Sequence, residues 1–162
     1  MSIPTDDNQK GFSSFDTAGA ALAVPGVFIG GTVDARGDHD GAADPATLFT
    51  VTGTVLVRVF GYALVTIVGA GTLEVGVAGN TAGLIAQITN ASTWAVNEIY
   101  LDATPTTLGV DLLANVLGPY VVVNGLDIIE TLGGANLTAG NVNYVCLWRP
   151  LSPDGNVVGV VA

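Results

Sequence analysis

"VTGTVLVRVFGYALVTIVGAG" occupies residues 51 to 71 and is the longest apolar run in the chain. It is long enough to cross a membrane as a helix, which takes about 20 mostly apolar residues. Its residue types argue otherwise. Of the 18 residues from Val51 to Val68, ten are Val, Ile or Thr and two are Leu. Side chains branched at Cβ are stiff and suit a pleated surface. Arg58 near the middle would cost a few kcal/mol in lipid, and no basic flanks border the run.

Sorting the run by parity decides the matter. The odd positions Val51, Gly53, Val55, Val57, Val59, Gly61, Ala63, Val65 and Ile67 are all apolar or glycine. The even positions mix Thr52, Thr54, Leu56, Arg58, Phe60, Tyr62, Leu64, Thr66 and Val68. A period of two predicts one long strand, or two strands bent at Gly61. The odd face is a dry core. The even face is too apolar for plain solvent surface, and its aromatics and arginine fit a subunit interface. Leu56, Arg58, Phe60, Tyr62 and Leu64 are the candidate interface residues.

Composition agrees with a β-rich chain. The 162 residues are 49% hydrophobic and 11% charged, with 22 glycines. Few long amphipathic helices can be built with so little Glu, Lys and Arg. The formal charge of −10 leaves four basic residues, Lys10, Arg36, Arg58 and Arg149, scattered along the chain. No basic stripe exists to neutralise phosphates, so direct nucleic-acid binding is not expected. No polybasic segment points to a membrane surface. One cysteine, Cys146, allows no intrachain disulfide. The N-terminus lacks the basic-then-apolar order of a signal peptide, so use without secretion by that route is expected.

The rest of the chain divides readily. Residues 1–25 read as an extended N-terminal arm with isolated anchors at Ile3, Phe12 and Phe15, and residues 26–162 as a single domain. Extended, the arm would reach roughly 80 Å. Strands are predicted at 26–34, 72–78, 82–89, 96–104, 141–149 and 156–162, with an acidic loop at 35–46 and a helical or loop excursion at 106–118. Residues 72–89 read as a hairpin through Gly79-Asn80. The strongest hairpin signal is "YVVVNGLDIIETL" (120–132), where Asn124-Gly125 supplies the two positive-φ residues of a type I′ turn. Pro153-Asp154-Gly155 marks a further turn. About eight or nine strands at this spacing predict an all-β sandwich or barrel. An apolar C-terminal strand and low surface charge both favour oligomerisation.

No catalytic constellation emerges. The loop with Asp34, Asp38, His39, Asp40 and Asp44 fails as a calcium loop, because Arg36 and Thr47 fall where carboxylates are required. Arg36-Gly37-Asp38 matches an adhesion tripeptide but is short enough to arise by chance. His39 is the only histidine. Glu74, Glu98, Asp102, Asp127 and Glu130 would need to meet in a cleft to act as a glycosidase pair. Trp94, Trp148, Tyr100, Tyr120 and Tyr144 would serve either a sugar platform or core packing. Cys146 lies within a strand and reads as a buried, inert thiol. Asn90-Ala-Ser92 and Asn136-Leu-Thr138 fit the glycosylation pattern, which has meaning only after secretion. The expectation is a non-enzymatic protein without cofactor or metal.

The stretches "GAGTLEVGVAGNTAGLIAQI" (69–88), "NEIYLDATP" (97–105) and "DIIETLGGANLTAGNVNYVCLWRPLSPDGNV" (127–157) resemble small virion structural proteins of tailed bacteriophages, among them head decoration, or cement, proteins. The resemblance covers residues 48 to 157, and "WRPLSPDG" (148–155) is its most characteristic piece. It implies a jelly-roll-like β-sandwich that forms a homotrimer on the outer surface of the capsid, assembled in the host cytoplasm. Such trimers sit between capsomers and clamp the major capsid protein. On this reading the even face of 54–66 makes trimer contacts, and Ile3, Phe12 and Phe15 touch the shell. The rival expectation is a carbohydrate-binding or host-recognition module of a phage fibre or spike, which requires Trp94 or Trp148 exposed on a groove.

Overall fold

In a computed structural model the described residues are 31–38, 45–105 and 119–160. The anchors Ile3, Phe12 and Phe15, the loop residues His39, Asp40 and Asp44, and the excursion at 106–118 lie outside them.

Ten strands are present among the described residues: β1 (Gly31–Asp38), β2 (Ala46–Thr52), β3 (Val55–Val68), β4 (Thr72–Val77), β5 (Asn80–Ile88), β6 (Ile99–Tyr100), β7 (Tyr120–Val122), β8 (Ile128–Gly133), β9 (Ala139–Pro150) and β10 (Asn156–Gly159). They form two antiparallel sheets. The first has the order β1-β9-β3-β6, with β7 also pairing β3, and the second has the order β10-β2-β8-β4-β5. Their inner faces enclose one core, so the fold is an all-β sandwich.

The decisive run is split, but at Gly53 and not at Gly61. Gly53 has φ +60, a left-handed conformation that glycine adopts without steric cost. There the chain leaves β2 in the second sheet and enters β3 in the first. The turn is tied down by Ser152 Oγ, which accepts from the Thr54 backbone N–H at 2.8 Å. A Cβ at Gly53 would lie 2.5 Å from both Ser152 Oγ and Asp154 Oδ1. Parity survives the break because the core lies between the sheets. Val51 faces it from one side, and Val55, Val57, Val59 and Ala63 from the other.

Gly61 instead gives room to an aromatic ring. It pairs with Tyr144 on β9, and a Cβ there would lie 2.9 Å from Tyr144 Cε1. Tyr144 is fully buried and cannot step aside. Gly61→Val is therefore expected to cost about 1–3 kcal/mol by overpacking. Urea unfolding measures it as a lower midpoint with unchanged slope.

Asn124 and Gly125 have φ 58 and 65, as a type I′ turn requires. The strands beside them nonetheless form no hairpin. Val122 pairs with Val55 in the first sheet, and Ile128 pairs with Phe49 and Val77 in the second. The turn carries the chain across the sandwich, and the Gly125 N–H donates to Gly53 O at 2.9 Å, joining the two crossings. Two other expectations are corrected. Residues 35–38 belong to β1, where Ala35–Asp38 pair with Tyr144–Asn141 of β9, and not to a loop. Of 96–104 only Ile99 and Tyr100 form a strand, since Asn97 has φ 67 and the chain bends after Tyr100. The β4–β5 hairpin and the turn after Pro150 are as expected.

Candidate interaction surface

Strands β3 and β9 lie side by side at the centre of the first sheet. Opposed residues share a face, so the register defines their outer surface. Leu56 lies beside Arg149, Arg58 beside Leu147, Phe60 beside Val145 and Tyr62 beside Asn143. Asn143 Nδ2 donates to the Tyr62 hydroxyl at 2.8 Å, which fixes that end of the surface. Leu56, Arg58, Phe60 and Tyr62 are partly buried, and Leu64 is exposed. Leu56, Arg58, Phe60 and Tyr62 thus come from one side of one strand, as their parity requires, while Leu64 falls where the register to β9 shifts.

Two features of this surface escaped the sequence reading. One is β9, whose partly exposed Leu147 and Arg149 widen the face, whereas Val145 and Asn143 are buried. Its strand pattern is visible in the sequence, but its place beside β3 is not. The other is the end of β3. Its register to β9 shifts between Ala63 and Val65 and again between Val65 and Val68. Val65, an inward position by parity, is turned out and is 52% exposed, and Val68 is 49% exposed. Val96, also exposed, adjoins them through its N–H, which donates to Thr66 Oγ1 at 3.1 Å.

The remaining candidates are dispersed. Trp94, Tyr100 and Tyr144 form an aromatic cluster in the core, with ring centroids 5.0 Å apart for Trp94–Tyr100 and 6.5 Å for Trp94–Tyr144. All three are fully buried, so they offer no platform to a ligand. Trp148 is partly buried against the same core, as is Tyr120. Tyr120 also lines a shallow apolar cleft of about 200 Å³ between β7 and the β4–β5 hairpin, together with Val77, Leu84, Val122 and Leu126.

The acids serve local structure. Glu74 Oε2 accepts from Gln87 Nε2 at 2.8 Å, Glu98 Oε2 from the Ala95 N–H at 2.7 Å, Asp127 Oδ1 from the Val51 N–H at 3.0 Å and Asp102 Oδ1 from the Thr104 N–H at 2.7 Å. Glu130 is buried, at 5% exposure, on the inner face of β8. Burial and the neighbouring Glu130 push the Tyr144 hydroxyl well above its usual range. Tyr100 is raised by burial first, then by Glu130, Glu74 and Asp102. Its hydroxyl lies 2.8 Å from Ala86 O and 3.0 Å from Leu73 O, either of which accepts its proton. Burial also pushes the Cys146 thiol up to about 12. A thiol held protonated is a poor nucleophile. Asn90 of the first glycosylation pattern spends its Oδ1 on Ser92, accepting from the N–H at 3.2 Å and the hydroxyl at 2.7 Å. Among the described residues no group of His, Cys, Asp or Glu is placed to hold a metal ion, and no helix is long and apolar enough to cross a membrane.

Fold and surface together define a two-sheet β-sandwich with an apolar, arginine-bearing outer face. No family model, curated protein or solved structure matches the chain.

Proposed function

We propose that this protein is a capsid decoration protein that binds the outside of a phage head as a homotrimer between capsomers. The observation that carries the reading is the outer face of β3 and β9, where partly exposed Leu56, Phe60, Tyr62 and Leu147 lie beside Arg58 and Arg149. Aromatic and aliphatic residues with arginine, and no acid on either strand, have the composition of an interface centre. The sandwich is taken to be jelly-roll-like. The arm residues Ile3, Phe12 and Phe15 are assigned to contact with the major capsid protein.

The mechanism is binding without chemistry. Each copy buries apolar surface against two sister copies and against the shell. Binding to the assembled shell and not to its separated subunits stabilises the shell by mass action.

Sedimentation equilibrium tests the oligomer. The wild type is expected at three times the 16.3 kDa chain mass, and Phe60→Asp at one. Phe60 is only partly buried in the single chain, so the variant keeps its fold. A Phe60→Asp protein that remains trimeric removes this face from the account. Deletion of residues 1–20 is expected to abolish binding to heads while leaving the trimer intact. Unchanged binding would remove the arm.

A further inference from the structure

We infer that Asn124 is a modification site held shut by the fold: it loses its side-chain amide, and becomes aspartate or isoaspartate, when the crossing between the two sheets opens. The chemistry needs only water. The backbone nitrogen of Gly125 attacks Cγ of Asn124. A C–N bond forms, the Cγ–Nδ2 bond breaks, and ammonia leaves with the proton of the Gly125 N–H. The product is a five-membered succinimide. Water then opens the ring. Attack at Cγ gives aspartate, and attack at the backbone carbonyl carbon gives isoaspartate.

The sequence selects this residue. Asn124 is the one asparagine of the chain that glycine follows. Every other asparagine precedes a residue with a side chain, such as Ala91 after Asn90 and Tyr144 after Asn143. A Cβ next to the attacking nitrogen crowds its approach, and glycine has none. Asn124 is also exposed, so water reaches it.

The structure sets the condition. Asn124 and Gly125 have φ 58 and 65, and positive φ at both central residues is the type I′ form. A left-handed residue has its Cβ beside its own carbonyl oxygen. The next nitrogen lies opposite that oxygen on the carbonyl carbon, so the Gly125 nitrogen points away from the side chain it must attack. Ring closure needs it on the Cβ side, which takes a rotation of the peptide plane between Asn124 and Gly125. In the folded chain that plane is fixed. The Gly125 N–H donates to Gly53 O at 2.9 Å, and the Leu126 N–H donates to Val123 O at 3.3 Å across the turn. A Cβ at Gly125 would lie 3.2 Å from Val51 O, so backbone of the neighbouring crossing packs against this residue. The N–H that must give up its proton is the one that Gly53 holds, and the plane cannot rotate without releasing it.

The rate in the folded protein is then the rate in the opened chain multiplied by the fraction open. Conversion of Asn124 therefore counts openings of the crossing. The record is permanent. Isoaspartate adds one atom to the backbone between Val122, which pairs with Val55 in one sheet, and Ile128, which pairs with Phe49 and Val77 in the other. The lengthened chain no longer fits the turn that joins them.

Incubation of the full chain at pH 8, in buffer and in urea beyond its unfolding midpoint, tests the inference. Peptide mass spectrometry locates the converted asparagine. In urea Asn124 is expected to convert faster than any other asparagine. In buffer its conversion is expected to be at least about tenfold slower, the effect of an opening that costs about 1.4 kcal/mol. Hydrogen exchange of the Gly125 amide under the same native conditions reads the same opening, and its protection is expected to match the slowing. Equal rates in buffer and urea, or another asparagine converting first in urea, overturns the inference. So does a Gly125 amide that exchanges freely while conversion is slow. The isoaspartyl chain, separated by ion exchange, is expected to have a lower urea midpoint than Asn124→Asp, which has the same charge and the normal backbone. Equal midpoints would show that the turn closes over the extra atom, and the permanent record falls.

Discussion

Trp94→Ala is expected to cost about 3–5 kcal/mol, the range for removing a large aromatic from a packed core. Trp94 has no exposed surface and packs at a tilt against Tyr100 and edge-on against Tyr144. Its Nε1 donates to Glu98 O at 3.0 Å, and its carbonyl accepts from the Ile67 N–H at 3.1 Å. The indole therefore fastens the 94–98 segment onto itself as well as filling the core, and the Trp94 backbone ties that segment to Ile67 on β3. Total stability of a domain is about 5–15 kcal/mol, so this one change removes about a fifth of it or more. Urea unfolding is the measurement. A loss below about 1 kcal/mol would show that the site collapses around the deletion or that the ring is not in the core. The fastening has its own signature, because Trp94→Phe keeps a ring but loses the Nε1 donor. It is expected to fall between wild type and Trp94→Ala.

Stability is expected to drop steeply from about pH 9 upward. Three buried groups, Cys146, Tyr100 and Tyr144, hold their protons more tightly in the folded chain than in the unfolded one. The sign follows from linkage. Below the ordinary value of each group both states are protonated, and stability does not depend on it. Above that value the unfolded state releases a proton that the folded state keeps, and unfolding is favoured. Cys146 acts from its ordinary 9.0 up to about 12, and the tyrosines act from 10.0 upward. Each group contributes a loss of about 1.4 kcal/mol per pH unit while only the unfolded state is ionised. The combined slope is thus largest above pH 10. Urea midpoints at pH 8, 9, 10 and 11 measure it. Cys146→Ala should flatten the curve between pH 9 and 10 and leave the steeper part above. A flat profile to pH 11 would mean that these groups are solvated in the folded protein.

How far the sequence foretells this molecule depends on which force shapes each element. Parity at 51–63 is legible because the core lies on one side of both β2 and β3, whichever sheet they join. It fails at Val65, where the register to β9 shifts, and such an irregularity depends on a partner strand that no local pattern names. Gly53 and Gly61 look alike in the sequence. One is needed for positive φ and the other for the ring of Tyr144, and only the paired strand tells them apart. Asn124-Gly125 shows the same limit. Its turn geometry follows from local sterics, whereas the strands it joins were claimed by different sheets through Val55, Phe49 and Val77.

The surface was legible in part. Alternation places Leu56, Arg58, Phe60, Tyr62 and Leu64 on one side of β3, and the register agrees from Leu56 to Tyr62, with Leu64 at the point where it shifts. The widening of that face by Leu147 and Arg149 depends on long-range pairing. Aromatic residues were ambiguous because Trp94, Tyr100 and Tyr144 suit a core and a sugar platform equally well by type, and burial decides for the core. Glu130 looked like any acid on a strand, yet its alternation with Ile128 and Leu132 already put it on the inner face.

A cryo-EM reconstruction of phage heads carrying this protein tests the central claim most directly. The account predicts sandwich-shaped density in threes on the outer surface between capsomers, with the outer faces of β3 and β9 turned toward sister copies. Isolated single copies with that face open to solvent, or heads without this density, would contradict it.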